Sequence, residues 1–396
     1  MDLTSGSPFW KVRNGLLGVY PPLEKDVHCD ALVIGGGISG ALLAHRLVEK
    51  GVDCVLIDQR DIGYGSTCAS TALLQYEVDT PLHQLSQRVG ALAAERAYFL
   101  GIEAIHQLQK LAGKDCGFAV RPSLQIAARA SDLAGLKKEY EARHKLKFQV
   151  AMLDRRDLRE CGIEGAGALR SVVAGEVDPY RLTHGLLRRA SLRGLRIFDR
   201  TAALRYAHSR RQLSVDTDRG AKLRCRAVFF ATGYETRDIL PEKTVTFKST
   251  YALVSEPLAN LDWWKDRSLI WGTRDPYFYM RTTSDNRVIV GGEDDKVLNP
   301  ERRDRQIANK TVRLVRRFNA LFPAVRIETA FGWAGVFGST KDGLAYIGRH
   351  PSFPRAYFAL GYGGNGITFS QIASRILVDL FLGRENRDAK VFRFDR

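Results

Sequence analysis

At 396 residues, 45% of them hydrophobic, the chain is longer than one core usually fills, and two closely packed domains of an ordinary soluble protein are expected. Its net charge of +16 is spread along the chain, as in "RLTHGLLRRASLRGLR" and "RRDRQIANKTVRLVRR", with no aromatic-flanked basic motif, so these runs read as solvated helix faces and no nucleic-acid partner is expected. No run of about eighteen apolar residues offers a membrane span, "MDLTSGSPFWKVRNG" lacks a signal pattern, and the six cysteines hold no CxxC pair, which points to the cytoplasm and away from a zinc site, any other metal or a disulfide framework.

The first informative stretch, "LVIGGGISGALLAHRLVEKGVDCVLID", runs from Leu32 to Asp58. An apolar strand leads into Gly35-Gly36-Gly37-Ile38-Ser39-Gly40, a helix reaches Lys50, and a second strand ends in Asp58. A pyrophosphate approaches the backbone only where side chains are missing, and the helix start offers it free N–H groups and the positive end of a dipole. Gly35 makes the tight turn, Gly37 admits the phosphates, and Gly40 lets the helix pack on the strand. Asp58 stands where a carboxylate accepts from the adenosine ribose hydroxyls.

Pro81 to Ala112 reads as one long helix and Arg181 to Arg193 as another. "LSVDTD" and "CRAVFFATG" form a hairpin edge leading into a buried strand. "YFYMRTTSDNRVIVGGEDD" is a hairpin turning at Asp285-Asn286, with Tyr277, Tyr279 and Arg281 on one face and Phe278 and Met280 on the other. That polar, aromatic face suits either a pocket wall or the wet side of an edge strand. Last, a strand to Leu360 enters the turn Gly361 to Gly366 and a helix with apolar residues from Phe369 to Phe381. A second helix N-terminus of this kind suits a flavin, whose reduced pyrimidine side is anionic.

These motifs, with "GYGSTCAST", "GEVDPYRL", "FFATGYET", "GWAGVFGSTKDGLAYIG" and "GYGGNGITFS", resemble the FAD-dependent amine and amino-acid oxidoreductase superfamily of D-amino acid oxidase, glycine oxidase, sarcosine oxidase and gamma-glutamylputrescine oxidase over nearly the whole chain. The resemblance implies an α/β fold in which a Rossmann-like FAD-binding domain, a central parallel sheet flanked by helices, is interleaved with an α+β substrate domain built on an antiparallel sheet. The FAD domain would take residues 1–85, 181–245 and 330–396, and the substrate domain 86–180 and 246–329. Noncovalent FAD would lie on Gly35, Gly37, Ile38, Ser39 and Gly40, with Asp58 and Gln59 at the adenosine. Ser66 and Thr67 would close over the phosphates, and Ser70 and Thr71 would run beside the ring. Ala203 would contact adenine, Thr232 and Gly233 would end the "ATG" strand, and Gly364, Asn365, Gly366, Ile367 and Thr368 would line the pyrimidine edge. Cys68 and His83, the conceivable covalent anchors, read better as a buried thiol and a surface histidine.

The implied chemistry removes a hydride from the carbon beside an amine, giving an imine that water hydrolyses. The electron acceptor would be oxygen or a quinone or carrier. In such relatives an arginine grips the substrate carboxylate where this chain has Phe337, so Arg281 is expected to replace it. Otherwise the substrate is an amine without a nearby carboxylate, held among Tyr251, Tyr277, Tyr279, Trp333 and Phe337. Thr368 stands where sarcosine oxidases carry an oxygen-activating lysine, which weakens the oxidase reading without excluding it and makes a dehydrogenase a serious alternative. Oxidation of a 2-hydroxy acid, modification of an aminomethyl group on transfer RNA, and a binding or assembly role remain as alternatives.

Overall fold

A computed structural model describes residues 2–208, 212–240, 245–274 and 277–396. Two sheets carry the chain. In the first, the strands Phe353–Leu360, Lys222–Phe230, Val27–Ile34, Cys54–Ile57 and Arg196–Phe198 run parallel in that spatial order, and Tyr346–His350 joins antiparallel at one edge. Ala31, Leu32, Val33 and Ile34 are buried in succession, as a parallel strand covered on both faces requires. The helices Ile38–Glu49, Pro179–Ser191 and Gly366–Phe381 cover one face. The second of these starts firmly because the Asp178 carboxylate accepts from the amides of Tyr180 and Arg181, with Pro179 in the first turn.

The second sheet has ten strands, most of them antiparallel. Thr4–Gly6, Thr329–Ser339, Thr246–Ser255, Val288–Asp295, Phe278–Thr282, Leu269–Gly272, Ala119–Ala127, Gly167–Glu176 and Leu73–Gln75 follow in that order, and Val150–Leu153 flanks Gly167–Glu176. The helix Pro300–Leu321 lies across its outer face and buries Leu314, Phe318 and Leu321 against Trp264 and Phe322. Strands Thr4–Gly6 and Leu73–Gln75 thus leave the segment expected to serve the dinucleotide domain and pair with the other sheet.

Two local expectations change. The helix expected over Pro81 to Ala112 is two helices, Leu82–Val89 and Ala91–Ala112, because Gly90 sits at φ 86°, outside any right-handed helix. The strand Phe278–Thr282 is paired on both sides, by Leu269–Gly272 and Val288–Asp295, so its polar face is a wall inside the protein and not a wet edge. Its hairpin turns at Asn286, the residue there with positive φ.

Candidate active site

A cavity of about 980 Å³ runs between the two sheets and is lined by both. At one end the strand Val27–Ile34 gives way to Gly35 at φ 111°, a conformation that excludes side chains. A Cβ on Gly40 would strike the Gly35 carbonyl oxygen, so helix and turn touch at their backbones. Gly40 therefore builds the turn but does not itself line the cavity. At the helix start the Ile38 amide donates to the Thr67 hydroxyl at 2.9 Å, and a Cβ on Gly37 would meet that same oxygen at 2.9 Å. Asp58 accepts from the Gly36 amide at 2.6 Å and from the Arg60 amide at 2.7 Å. Burial pushes its carboxyl up to about 6 despite those amides and the Arg60 charge. Gln59 and Arg60 both reach Glu235, bridging the ends of two parallel strands beside Thr232 and Gly233.

This bare glycine cradle, the acid behind it and the free helix start fit the pyrophosphate and ribose of FAD. Gly35, Gly37, Ile38, Ser39, Asp58, Gln59, Ser66, Thr67, Ser70, Thr71, Ala203, Thr232, Gly233, Gly364, Asn365, Gly366 and Ile367 all line the cavity. Thr368 does not: its hydroxyl donates to the Gln75 carbonyl at 3.2 Å and its side chain is buried.

Between the two ends runs a segment whose carbonyls are all pulled away from the cavity. Trp333 Nε1 donates to the Ala69 carbonyl at 2.9 Å and Trp10 Nε1 to that of Ser70 at 2.7 Å. Arg281 Nη1 donates to Thr71 at 3.2 Å, Ala72 at 2.8 Å and Val177 at 3.0 Å. Ala72 has φ 55°, a strained value for a residue with a side chain, and Arg281 holds it there. Arg281 is also paired with Glu176 at 3.5 Å and stacked on Trp10.

Three expected pocket residues are thereby reassigned. Arg281 shares the strand face of Tyr277 and Tyr279 but lies beneath residues 71–72, outside the cavity. Trp333 supports the same segment from behind. Tyr251 faces the opposite core, where its hydroxyl meets Asp295 at 3.1 Å and Gln306 at 3.2 Å. Tyr277, Tyr279 and Phe337 do line the cavity. The two remaining thiol and imidazole candidates are occupied elsewhere: Cys68 is buried against the Gly65 carbonyl with its thiol pushed up to about 11 by burial, and His83 pairs with Glu139 at 2.8 Å.

The same wall carries residues that the sequence left unmarked. By alternation Leu73, Gln75, Glu77 and Asp79 face the cavity while Leu74, Tyr76 and Val78 enter the core. The Asn365 amide group donates to the Gln75 and Glu77 carbonyls, which ties this strand to the second glycine turn. Asp79 accepts from the Gly364 amide, and burial raises its pKa against that bond and the Lys248 charge. Glu77 is bound through one oxygen to Ser171 and Arg143, while Oε2 is buried without a hydrogen-bond partner among the described residues. Behind it Arg143 pairs with Glu139 at 2.7 Å; burial pushes the Glu139 carboxyl up, but His83, Arg143 and the Leu82 amide together bring it to about 2. Lys248, Thr250, Trp271 and Asp294 line the same cavity. Burial first, then Asp79, Glu77 and Asp294, drive the Tyr277 hydroxyl well above its ordinary pKa, so all three carboxylates act on this one hydroxyl. Among the described residues no group of acids, histidines and cysteines could hold a metal, and no helix is long and apolar enough to cross a membrane.

The family described as "DAO: FAD dependent oxidoreductase" matches residues 30–380. Gamma-glutamylputrescine oxidoreductase of Escherichia coli (strain K12) is 26% identical over 389 residues, covering 93% of this chain and 87% of that protein. Glycine oxidase of Bacillus subtilis (strain 168) is 24% identical over 374 residues, covering 93% and 98%. Among solved structures, glycine oxidase from Geobacillus kaustophilus superposes with a TM-score of 0.76 at 20% identity, over 91% of this chain and 96% of that one.

Proposed function

The chain belongs to the FAD dependent oxidoreductase family, and from that premise we propose that it oxidises the carbon beside the nitrogen of a small amine or amino acid. The observation that carries this reading is the single cavity joining the glycine cradle to a wall of tyrosines and carboxylates. FAD supplies the hydride acceptor when bound. The substrate nitrogen lends its lone pair to a C=N bond as the hydride leaves carbon, and water then releases a carbonyl compound and an amine or ammonia. Asp79, Glu77 and Asp294 receive the substrate nitrogen at the wall, and Tyr277, Tyr279, Trp271 and Phe337 bound the space for its carbon skeleton. Tyr277 and Tyr279 are both raised in pKa, chiefly by burial, and act as neutral hydrogen-bonding phenols. No side chain is required to accept the hydride or to form a bond to the substrate.

The test mixes the yellow protein anaerobically with D- and L-amino acids, N-methyl amines, diamines and 2-hydroxy acids and follows the flavin band. Bleaching by an amine-bearing compound is expected. Bleaching by 2-hydroxy acids alone, or by no compound while dithionite still bleaches, overturns the reading. Admitting air afterwards separates oxygen from a quinone or carrier as acceptor.

A further inference from the structure

Lys248 is a half-buried cation facing the cavity, and it makes no hydrogen bond or ion pair among the described residues. The strand explains its direction. Phe247 is buried beside Leu3 and Val336, and the Ser249 hydroxyl donates to the Val297 carbonyl, so both neighbours turn outward from the cavity. Lys248 and Thr250 turn inward, and Thr250 meets the Tyr279 hydroxyl at 3.2 Å. The position across the strand pair from Lys248 is Phe337, which also lines the cavity. The expected replacement for a cation at Phe337 was Arg281, but that guanidinium is consumed by carbonyls and Glu176.

The charge also has a defined depth. Lys248 acts on Asp79, and Asp79 touches Gly364 at the second helix start, so the ammonium belongs to the tyrosine end and not to the glycine cradle. A charge held in a partly dehydrated wall calls for a counter-charge in direct contact, and among the described residues Asp79 acts on Lys248 without forming an ion pair with it. In the same lining Glu77 Oε2 is buried without a hydrogen-bond partner among the described residues, which calls for a donor. The lining therefore offers both a cation and carboxylates.

We propose that Lys248 binds an anionic group of the substrate, so that the enzyme selects a zwitterionic amine, its carboxylate on Lys248 and its nitrogen toward Glu77 and Asp79. This rests on the reading that amine oxidation takes place in this cavity. A charged hydrogen bond of this kind is worth roughly 10- to 100-fold in binding.

The experiment pairs each of three amino acids, N-methylglycine, L-proline and D-alanine, with its decarboxylated counterpart, dimethylamine, pyrrolidine and ethylamine. Anaerobic flavin bleaching is followed against concentration in the FAD-loaded wild type, Lys248→Met and Lys248→Arg. A second readout is the shift of the flavin spectrum on titration with benzoate, which requires no turnover. Expected are half-saturation about 10- to 100-fold lower for an amino acid than for its partner in the wild type, loss of that ratio and of benzoate binding in Lys248→Met, and partial recovery in Lys248→Arg. Equal response to both members of a pair in the wild type overturns the proposal while leaving amine oxidation intact. So does an unchanged ratio in Lys248→Met with slowed recolouring in air, which would assign the charge to the reduced flavin. Failure of every amine to bleach the wild type removes the underlying reading and this one with it. Retained yellow colour and melting temperature establish that the variants are folded.

Discussion

The two ends of the cavity are built by different means. At the glycine cradle the shape comes from backbone: Gly35 at positive φ, Gly40 against the Gly35 carbonyl, and amides aimed by a helix start. At the tyrosine end it comes from side chains on strands distant in sequence, Gln75 to Asp79, Lys248 and Thr250, Trp271, Tyr277 and Tyr279, Asp294 and Phe337. A backbone-built site tolerates almost no substitution at its close contacts but little else specifies it. A side-chain-built site is open to exchange, and selectivity lives there.

The strongest way to break this contrast is at Gly40. Gly40→Ala forces a methyl into the Gly35 carbonyl, where only backbone can yield. A loss of about 4 kcal/mol or more and failure to retain FAD are expected, read from the melting temperature and the visible spectrum. A yellow, stable Gly40→Ala would show that the cradle is adaptable after all.

Arg281 tests the border between the two ends. Arg281→Met removes the donor to three carbonyls, releases Ala72 from its strained conformation and leaves Glu176 with Arg121 alone. A loss of about 3 kcal/mol is expected, and restoring the charge with Arg281→Lys recovers only part of it, since lysine has no counterpart of the Nε that meets the Thr282 carbonyl and Glu176. If Arg281→Met instead kept its stability and lost only affinity for amino acids, Arg281 would belong to the substrate wall.

That distinction also governs how much was legible in the sequence. The cradle could be read because turn, helix and terminal acid lie within one short segment, where glycine spacing and strand endings carry the information. The wall could not, because facing depends on strand phase, and phase is reset by irregular pairing. Tyr251 keeps the phase of Phe247 and Ser249 and so enters the core, while Lys248 and Thr250 take the cavity side, a choice of face that the local pattern does not reveal. Glu293 at φ 56°, next to Gly292 at φ 132°, likewise breaks the alternation before Asp294. Arg281 shares the strand face of Tyr277 and Tyr279, but nothing in the local sequence shows that residues 71–72 cover it. Leu73 to Asp79 is the exception: its alternation is regular in the sequence, and its polar members Gln75, Glu77 and Asp79 share the cavity face.

Asp58 offers a smaller, titratable test at the cradle. Its folded pKa of about 6 lies above the ordinary carboxylate value, so ionised Asp58 opposes folding of the cofactor-free protein above pH 6, and that penalty is relieved as the pH falls toward about 4. FAD binding is expected to have the opposite slope, because only an ionised Asp58 would accept from both ribose hydroxyls. Affinity should weaken by up to tenfold per pH unit below 6 and level off above it, measured by fluorescence quenching of free FAD. In Asp58→Asn both slopes disappear, and affinity at pH 8 drops about 10- to 100-fold.

The smallest effect is expected at Tyr279, and it separates shape from proton transfer at the tyrosine end. Its hydroxyl meets Thr250 Oγ1 at 3.2 Å, and burial followed by the Asp294 charge raises its pKa above the ordinary phenol. A phenol so placed stays neutral throughout the working range and cannot take a proton from a substrate ammonium. Tyr279→Phe keeps the ring that fills the space over Gly291 and removes one neutral hydrogen bond. About 1 kcal/mol, a few-fold change in half-saturation, is therefore expected, with the pH dependence of flavin bleaching unmoved. A shifted pH profile would mean that the hydroxyl exchanges protons with the substrate, and the wall would then be catalytic in its own right, where the contrast with the cradle has it supply only shape and charge.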